Sequence, residues 1–250
     1  MKIVFPTNQS RYYFSHLSYI REIFRYCGAT INCQPGLTLE PCVFKCKIDG
    51  KDFIFDLSDY EDISYEIKNE IVLKRTIRTI KDNIYPMGTL MGYYRRGNHS
   101  QVFNHLINAR NEIYEKPNDY LYSQRIWGNA FERRGNLKKQ IGHVKLQTSP
   151  QTYWDYARKF KYNIFLPGAN LYVLDRAPSE LMFLGNTIMQ PKIDILFPNF
   201  KKLEAGTHYI EIADDGSDCL EKMAGDTGEA AKEFMSCMLP NNLIKWWTSL

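Results

Sequence analysis

The stretch NIFLPGANLYVLDRAPSELMFLGNTIM, residues 163–189, sets charged side chains between two apolar runs. It turns at Pro167-Gly168 and closes on an apolar run after Gly185. Gly168, Ala169 and Asn170 stand at a strand end, and glycine there lets a ligand approach the backbone closely. Ala177-Pro178-Ser179 marks a helix start, where free N–H groups and the helix dipole favour a phosphate. Arg176 adds a cation that can bind two oxygens at once. Glu180, in the first turn, is a carboxylate that can accept hydrogen bonds from two sugar hydroxyls. Together these residues fit a nucleotide-sugar pocket. Each also has a plainer reading. Glu180 stabilises a helix N-terminus without any ligand, whereas a cation at Arg176 is disfavoured there and calls for an anion.

Elements must position these residues. Lys2 to Pro6 reads as a strand, and Leu17, Ile20, Phe24 and Cys27 form a helical stripe that stops at Gly28. Val43 to Ile48 alternates, Asp49-Gly50 follows, then Phe53-Ile54-Phe55, which predicts a hairpin. Residues 61–82 read as mostly helical, 88–100 as a linker or cleft segment, and 101–115 as a helix. The second half predicts strands at 120–127, 144–146, 162–166, 187–190 and 208–212. Helices are expected at 133–141, from Pro150 to Phe160 with Ser149 as N-cap, and at 177–184. Asp214 or Ser217 is expected to cap a final helical region. Such alternation argues for a parallel sheet with helices on both faces, where ligands sit beyond the carboxyl ends of the strands.

The chain of 250 residues carries a net charge of +4, which suits an anionic ligand without demanding nucleic acid. No apolar run is long enough to span a membrane, and the expected location is cytoplasmic. The six cysteines are then read as reduced thiols. Cys27, Cys33, Cys42 and Cys46 lie close in sequence but lack Cys-x-x-Cys spacing, so buried thiols are favoured over a zinc site. The 17 tyrosines and 14 phenylalanines supply core, and they also supply rings that line clefts, with Tyr12, Tyr13, Tyr93 and Tyr94 as candidates.

Glu180-Leu-Met-Phe-Leu-Gly185-Asn-Thr-Ile-Met resembles the donor-site helix of GT-B glycosyltransferases, in which the glutamate holds the donor ribose. The retaining version has a second glutamate eight residues earlier, where this chain has Tyr172. A wider order resembles the protein O-glucosyltransferase and capsule-associated xylosyltransferase family. It runs Ile126-Trp127-Gly128, Arg133-Arg134, Lys161-Tyr162, Gly168, Arg176, Gly185, Phe197-Pro198, His208-Tyr209, then Ser217-Asp218-Cys219-Leu220. The chain departs from that family by two extra residues between Gly168 and Arg176, and its first half is not cysteine-rich. More softly, Asp56-Leu-Ser-Asp59-Tyr60, Leu73-Lys74-Arg75 and Tyr85-Pro86-Met87-Gly88 are similar to segments of bacterial glycosyltransferases.

The resemblance implies a GT-B-like α/β fold, two Rossmann-type lobes with a cleft between them and a reduced N-terminal lobe. Residues 1–100 would form the acceptor-side lobe and 101–250 the nucleotide-sugar-binding lobe. It places Gly128, Arg133, Gly168 and Arg176 around the donor diphosphate and Glu180 on the donor ribose, and the strand end and helix start read above add Ala169, Asn170 and Ser179 to the candidate donor site. An inverting transfer needs a base for the acceptor hydroxyl, and Asp59, Asp56 and His16 are the candidates in that order. No metal is expected, because arginines and a helix N-terminus can carry the leaving-group charge and the donor region has no Asp-x-Asp motif. The expected activity is therefore sugar transfer from a nucleotide-sugar to a hydroxyl acceptor, first a surface glycan. The alternatives are a viral glycosyltransferase acting on a modified DNA base, with DNA as partner, and a non-catalytic nucleotide- or glycan-binding module.

Overall fold

The computed structural model describes residues 1–7, 14–40, 42–58, 61–89, 91, 99–126, 128–146, 148–168 and 171–250. The first elements are β1 (Lys2–Pro6), α1 (Phe14–Tyr26), β2 (Thr30–Gln34), β3 (Thr38–Glu40), β4 (Val43–Ile48), β5 (Lys51–Asp56), β6 (Ile71–Lys74), β7 (Ile84–Pro86) and α2 (His99–Ala109). Then come β8 (Asn118–Leu121), α3 (Phe131–Ile141), α4 (Pro150–Ala157), β9 (Phe160–Ile164), α5 (Arg176–Phe183), β10 (Thr187–Gln190), β11 (Ile210–Glu211), α6 (Gly228–Phe234) and α7 (Pro240–Ser249). The chain is mixed α/β and divides into two compact units. The first holds Met1–Phe103, Leu196–Lys202 and Cys237–Leu250, and the second Asn104–Ile195 and Leu203–Ser236.

In the first unit the sheet order is β2-β1-β4-β5-β6-β7, with β3 also paired to β4. The expected hairpin joins β4 and β5, and Asp49 and Gly50 both have positive φ, at 46° and 90°. That is the twist a two-residue hairpin turn requires. Cross-strand partners Phe44 and Phe55 stack at 5.5 Å, and Phe5 joins Phe44 and Phe24. The C-terminal α7 inserts Trp247 into this aromatic core, 5.2 Å from Phe55 and 5.6 Å from Phe24. Its indole donates to Met87 O, and that of Trp246 to Pro86 O. Both indoles thus satisfy carbonyls at the end of β7.

Residues 61–82 are not helical. Ile71-Val72-Leu73 is too short and too evenly apolar for a helix face, and it enters the sheet as β6 between β5 and β7. The surrounding charges serve turns, and one of them, Glu70, pairs with Lys45.

The second unit holds four parallel strands in the order β11-β10-β9-β8. Tyr122, Leu137, Ile141, Tyr162, Ile164, Met189 and Ile210 pack together between one face and α3. On the other face Asn163 of β9 donates to Ala157 O of α4, and Trp154 of α4 reaches α5. Ser149 caps α4 as expected, its Oγ accepting from Thr152 N. That helix ends at Ala157, and Phe160 belongs to the strand. Residues 144–146 form no strand, although Val144 N donates to Tyr122 O. The strands at 120–127 and 208–212 shrink to Asn118–Leu121 and Ile210–Glu211, and α2 ends at Ala109. Asp226, not Asp214 or Ser217, accepts from the first N–H of α6, at Gly228. All six cysteines are free thiols, and Cys33 is exposed rather than buried.

Two outcomes follow from this packing. The Lys45 ammonium beside Glu70 holds its carboxyl at about 2, below an ordinary 4.5. A depressed folded pKa stabilises above the unfolded value and is lost as pH falls through the folded one. Urea unfolding across pH should therefore show this contribution disappear between about 4.5 and 2. Glu70→Gln should cost about 2 kcal/mol at pH 7 and flatten that acid limb. A Cβ on Gly228 would lie 2.3 Å from Gly185 O, a backbone atom that cannot swing aside. Gly228→Ala should cost about 2 kcal/mol in the same assay.

Candidate functional site

Gly128, Arg133, Gly168 and Arg176 follow the carboxyl ends of β8 and β9, in the connections and at the starts of α3 and α5. β9 ends at Ile164, and Leu166, Pro167 and Gly168 follow with carbonyls that have no ladder partner. Two side chains of α3 take them up. Arg134 donates through Nε and Nη2 to Leu166 O, at 3.0 and 2.7 Å, and through Nη1 to Arg125 O at 2.9 Å. Arg133 Nη2 donates to Gly168 O at 2.9 Å and Pro167 O at 3.3 Å, and its Nη1 to Asp214 O. Arg134 is buried, and this desolvation lowers its pKa from the ordinary value. Three carbonyl bonds offset the cost of hiding the guanidinium. So both arginines tie down the backbone after β9, Arg133 from a part-exposed position.

Gly128 opens the short 3-10 turn before α3 with φ of 65°, a conformation that favours glycine. Gly168 is different. Its φ is not in the left-handed region, and a Cβ there would meet nothing within 4 Å. Among the described residues, nothing in the fold itself demands glycine at 168.

The helix starts one residue earlier than expected, so Arg176 is its first residue and Glu180 lies a full turn inside. Ser179 is buried, and both its N and its Oγ donate to Asp175 O. Glu180 is 0% exposed. Its Oε2 accepts from Trp154 Nε1 at 2.8 Å, and Arg176 Nη1 lies 3.0 and 3.2 Å from its two oxygens. The anion that a cation at this helix start calls for is therefore Glu180 itself. Neighbouring Tyr153 is pushed up to about 12, chiefly by burial. The Arg176 side chain stays 31% exposed, enough to reach a ligand as well.

In the first unit, Asp56 and Lys74 end the paired strands β5 and β6 in register, and both are 1% exposed. Lys74 Nζ donates to Asp56 Oδ2 at 2.6 Å, to Ser58 Oγ at 3.0 Å and to Asp62 O at 3.4 Å. Asp56 Oδ2 also accepts from Tyr65 OH, and Oδ1 from Ser58 N and Oγ. Burial, followed by Asp56, raises the Tyr65 phenol well above its usual range. Asp56 is thus the centre of a buried network that ties Ser58, Asp62 and Tyr65 to Lys74. Asp59, Ala169 and Asn170 lie outside the described residues, and so does the side chain of His16.

Trp154, Tyr153, Ser58 and Tyr65 were not legible as site residues. Trp154 and Tyr153 sit on an ordinary helix, and nothing in their spacing points to a carboxylate on another one. A cleft of about 410 Å³ opens at the opposite, amino edge of the same sheet, with Lys116, Lys161, Asp226 and Lys232 among its lining. Lys116 there donates to Gly185 O, and Asp226 accepts from Thr187 and Gly228. Much of its charge is spent on the fold, and the expected chemistry lies at the other edge. Among the described residues, no group of three or more His, Cys, Asp or Glu is arranged to hold a metal ion. Nor is any described helix long and apolar enough to cross a membrane.

Removing Arg176 strands a buried carboxylate. Arg176→Ala should cost about 3 kcal/mol in urea unfolding. The double variant Arg176→Gln/Glu180→Gln removes both charges and should recover most of that loss.

Compared with known proteins, the chain matches no family model and no curated protein.

Proposed function

We propose that this chain is a glycosyltransferase of GT-B type that moves a sugar from a nucleotide-sugar to a hydroxyl acceptor. The carboxyl edge of the parallel sheet carries this reading. There Arg133 and Arg134 donate to the carbonyls of Leu166, Pro167 and Gly168, and α5 starts at Arg176, eight residues further along the chain. Backbone already held by hydrogen bonds loses less freedom when a ligand arrives, and that saves binding energy. A Gly168 whose Cβ position meets no described atom within 4 Å, the N–H groups of the α5 start and the part-exposed Arg176 suit a diphosphate. As the sugar leaves, the same groups would stabilise the charge that develops on the diphosphate.

The reading needs a base for the acceptor proton. Asp56 is a poor one, because its two oxygens already accept from Lys74, Tyr65 and Ser58. Asp59, three residues further along the sequence, is the better candidate. Asp59→Asn should retain donor binding and lose turnover by about two to four orders of magnitude.

The test is a thermal-shift screen against UDP, GDP, CMP, TDP and their sugars. One nucleotide family should stabilise the wild type, by about 2.7 kcal/mol at a hundredfold excess over Kd. The shift should weaken strongly in Arg176→Gln/Glu180→Gln, which keeps the local charge balance. No shift with any nucleotide at millimolar concentration would sink the proposal.

A further inference from the structure

The last residue of β10, Gln190, is 1% exposed. Its Nε2 has no hydrogen-bond partner among the described residues. An unpaired buried amide is costly, and it persists where something outside the fold completes it. Its position says what that could be. Met189 packs in the cluster beneath α3, so strand alternation turns Ile188 and Gln190 to the other face. Asn163, in register with Ile188, donates to α4, and α4 reaches α5 through Trp154 and Glu180. Gln190 therefore faces the side covered by α4 and α5. α5 follows β9 and leads back into β10, so its first turn stands at the carboxyl edge where β10 ends.

Glu180 is the residue expected to hold the hydroxyls of a nucleotide-sugar. Its oxygens already accept from Trp154 and Arg176. At the same edge, Gln190 offers a buried Nε2 donor with no partner among the described residues. We infer that Gln190, rather than Glu180, reads a ring hydroxyl of the bound nucleotide-sugar; this rests on the function proposed above. A hydroxyl both donates and accepts, so it satisfies either end of the amide. An analogue without that hydroxyl leaves the amide unpaired again, which makes Gln190 a determinant of specificity.

The hydroxyl belongs either to the ribose or to the transferred sugar, and calorimetry on the full chain separates the two. The probes are the nucleoside diphosphate found in the screen, its 2′- and 3′-deoxy forms, and the nucleotide-sugar. If the ribose is read, Gln190→Leu binds the diphosphate about tenfold more weakly and no longer discriminates against a deoxy form. If the transferred sugar is read, the loss of about tenfold appears with the nucleotide-sugar alone. In both cases ligand-free Gln190→Leu unfolds at or above the wild-type temperature, because an unpaired donor has been removed. Unchanged affinity for every probe overturns the inference and leaves the proposed function standing. A lower unfolding temperature with unchanged affinities overturns it too. That is the result expected if Gln190 shares a buried water with Asn163 Oδ1, which also lacks a partner among the described residues. A wild-type chain that binds no nucleotide overturns the inference and the proposed function together.

Discussion

A parallel strand that ends inside a protein leaves carbonyls facing no neighbour, and burying them unpaired is costly. At the end of β9 the Arg134 guanidinium removes that cost by donating to Leu166 O and Arg125 O. Arg133 extends the arrangement to Pro167 and Gly168. This anchoring fixes the described backbone from Leu166 to Gly168. It also reassigns the two arginines. They act on the protein's own carbonyls, and through those carbonyls on whatever the loop binds.

The other buried charges follow the same logic, each paired across elements that the chain order separates. Asp56 and Lys74 meet because β5 and β6 run parallel and in register. Glu180 meets Trp154 because α4 and α5 lie on one face of the second sheet. Arg158, 1% exposed, donates to Ala109 O and Glu112 and lies 3.5 Å from the Tyr114 ring, tying the chain before β8 to the end of α4. A buried ion held by several hydrogen bonds contributes little net stability, but losing one partner is expensive. Such networks specify arrangement more than they add stability.

The two edges of the second sheet are chemically different. At the amino edge Lys116 meets Gly185 O after the C-terminal turn of α5, where a cation suits the negative end of the dipole. At the carboxyl edge α5 presents its N-terminus, and its cation Arg176 is compensated by Glu180. The charge pattern that stabilises the helix thus leaves one guanidinium part-exposed at the anion-favouring end. The same helix that closes the sheet also shapes the proposed donor site.

Local pattern was enough for much of this protein. Asp49-Gly50 determined a hairpin because only a few residues accept two consecutive positive φ angles, and Ser149-Pro150 determined a helix start. The alternation of apolar runs and helices in the second half announced a parallel sheet, and Arg133, Gly168 and Arg176 do fall at its carboxyl edge. Residues 61–82 misled because charged turn residues imitate a helix surface where no apolar stripe exists. Tertiary structure alone decided that Glu180 is sealed by Trp154 and Arg176, that Asp56 is spent on Lys74, and that the buried Gln190 Nε2 finds no partner among the described residues. It alone brought Trp247 back to the N-terminal sheet. Sequence reports which groups are available. Which of them the fold uses up depends on contacts between residues far apart in the chain, and no local periodicity encodes those.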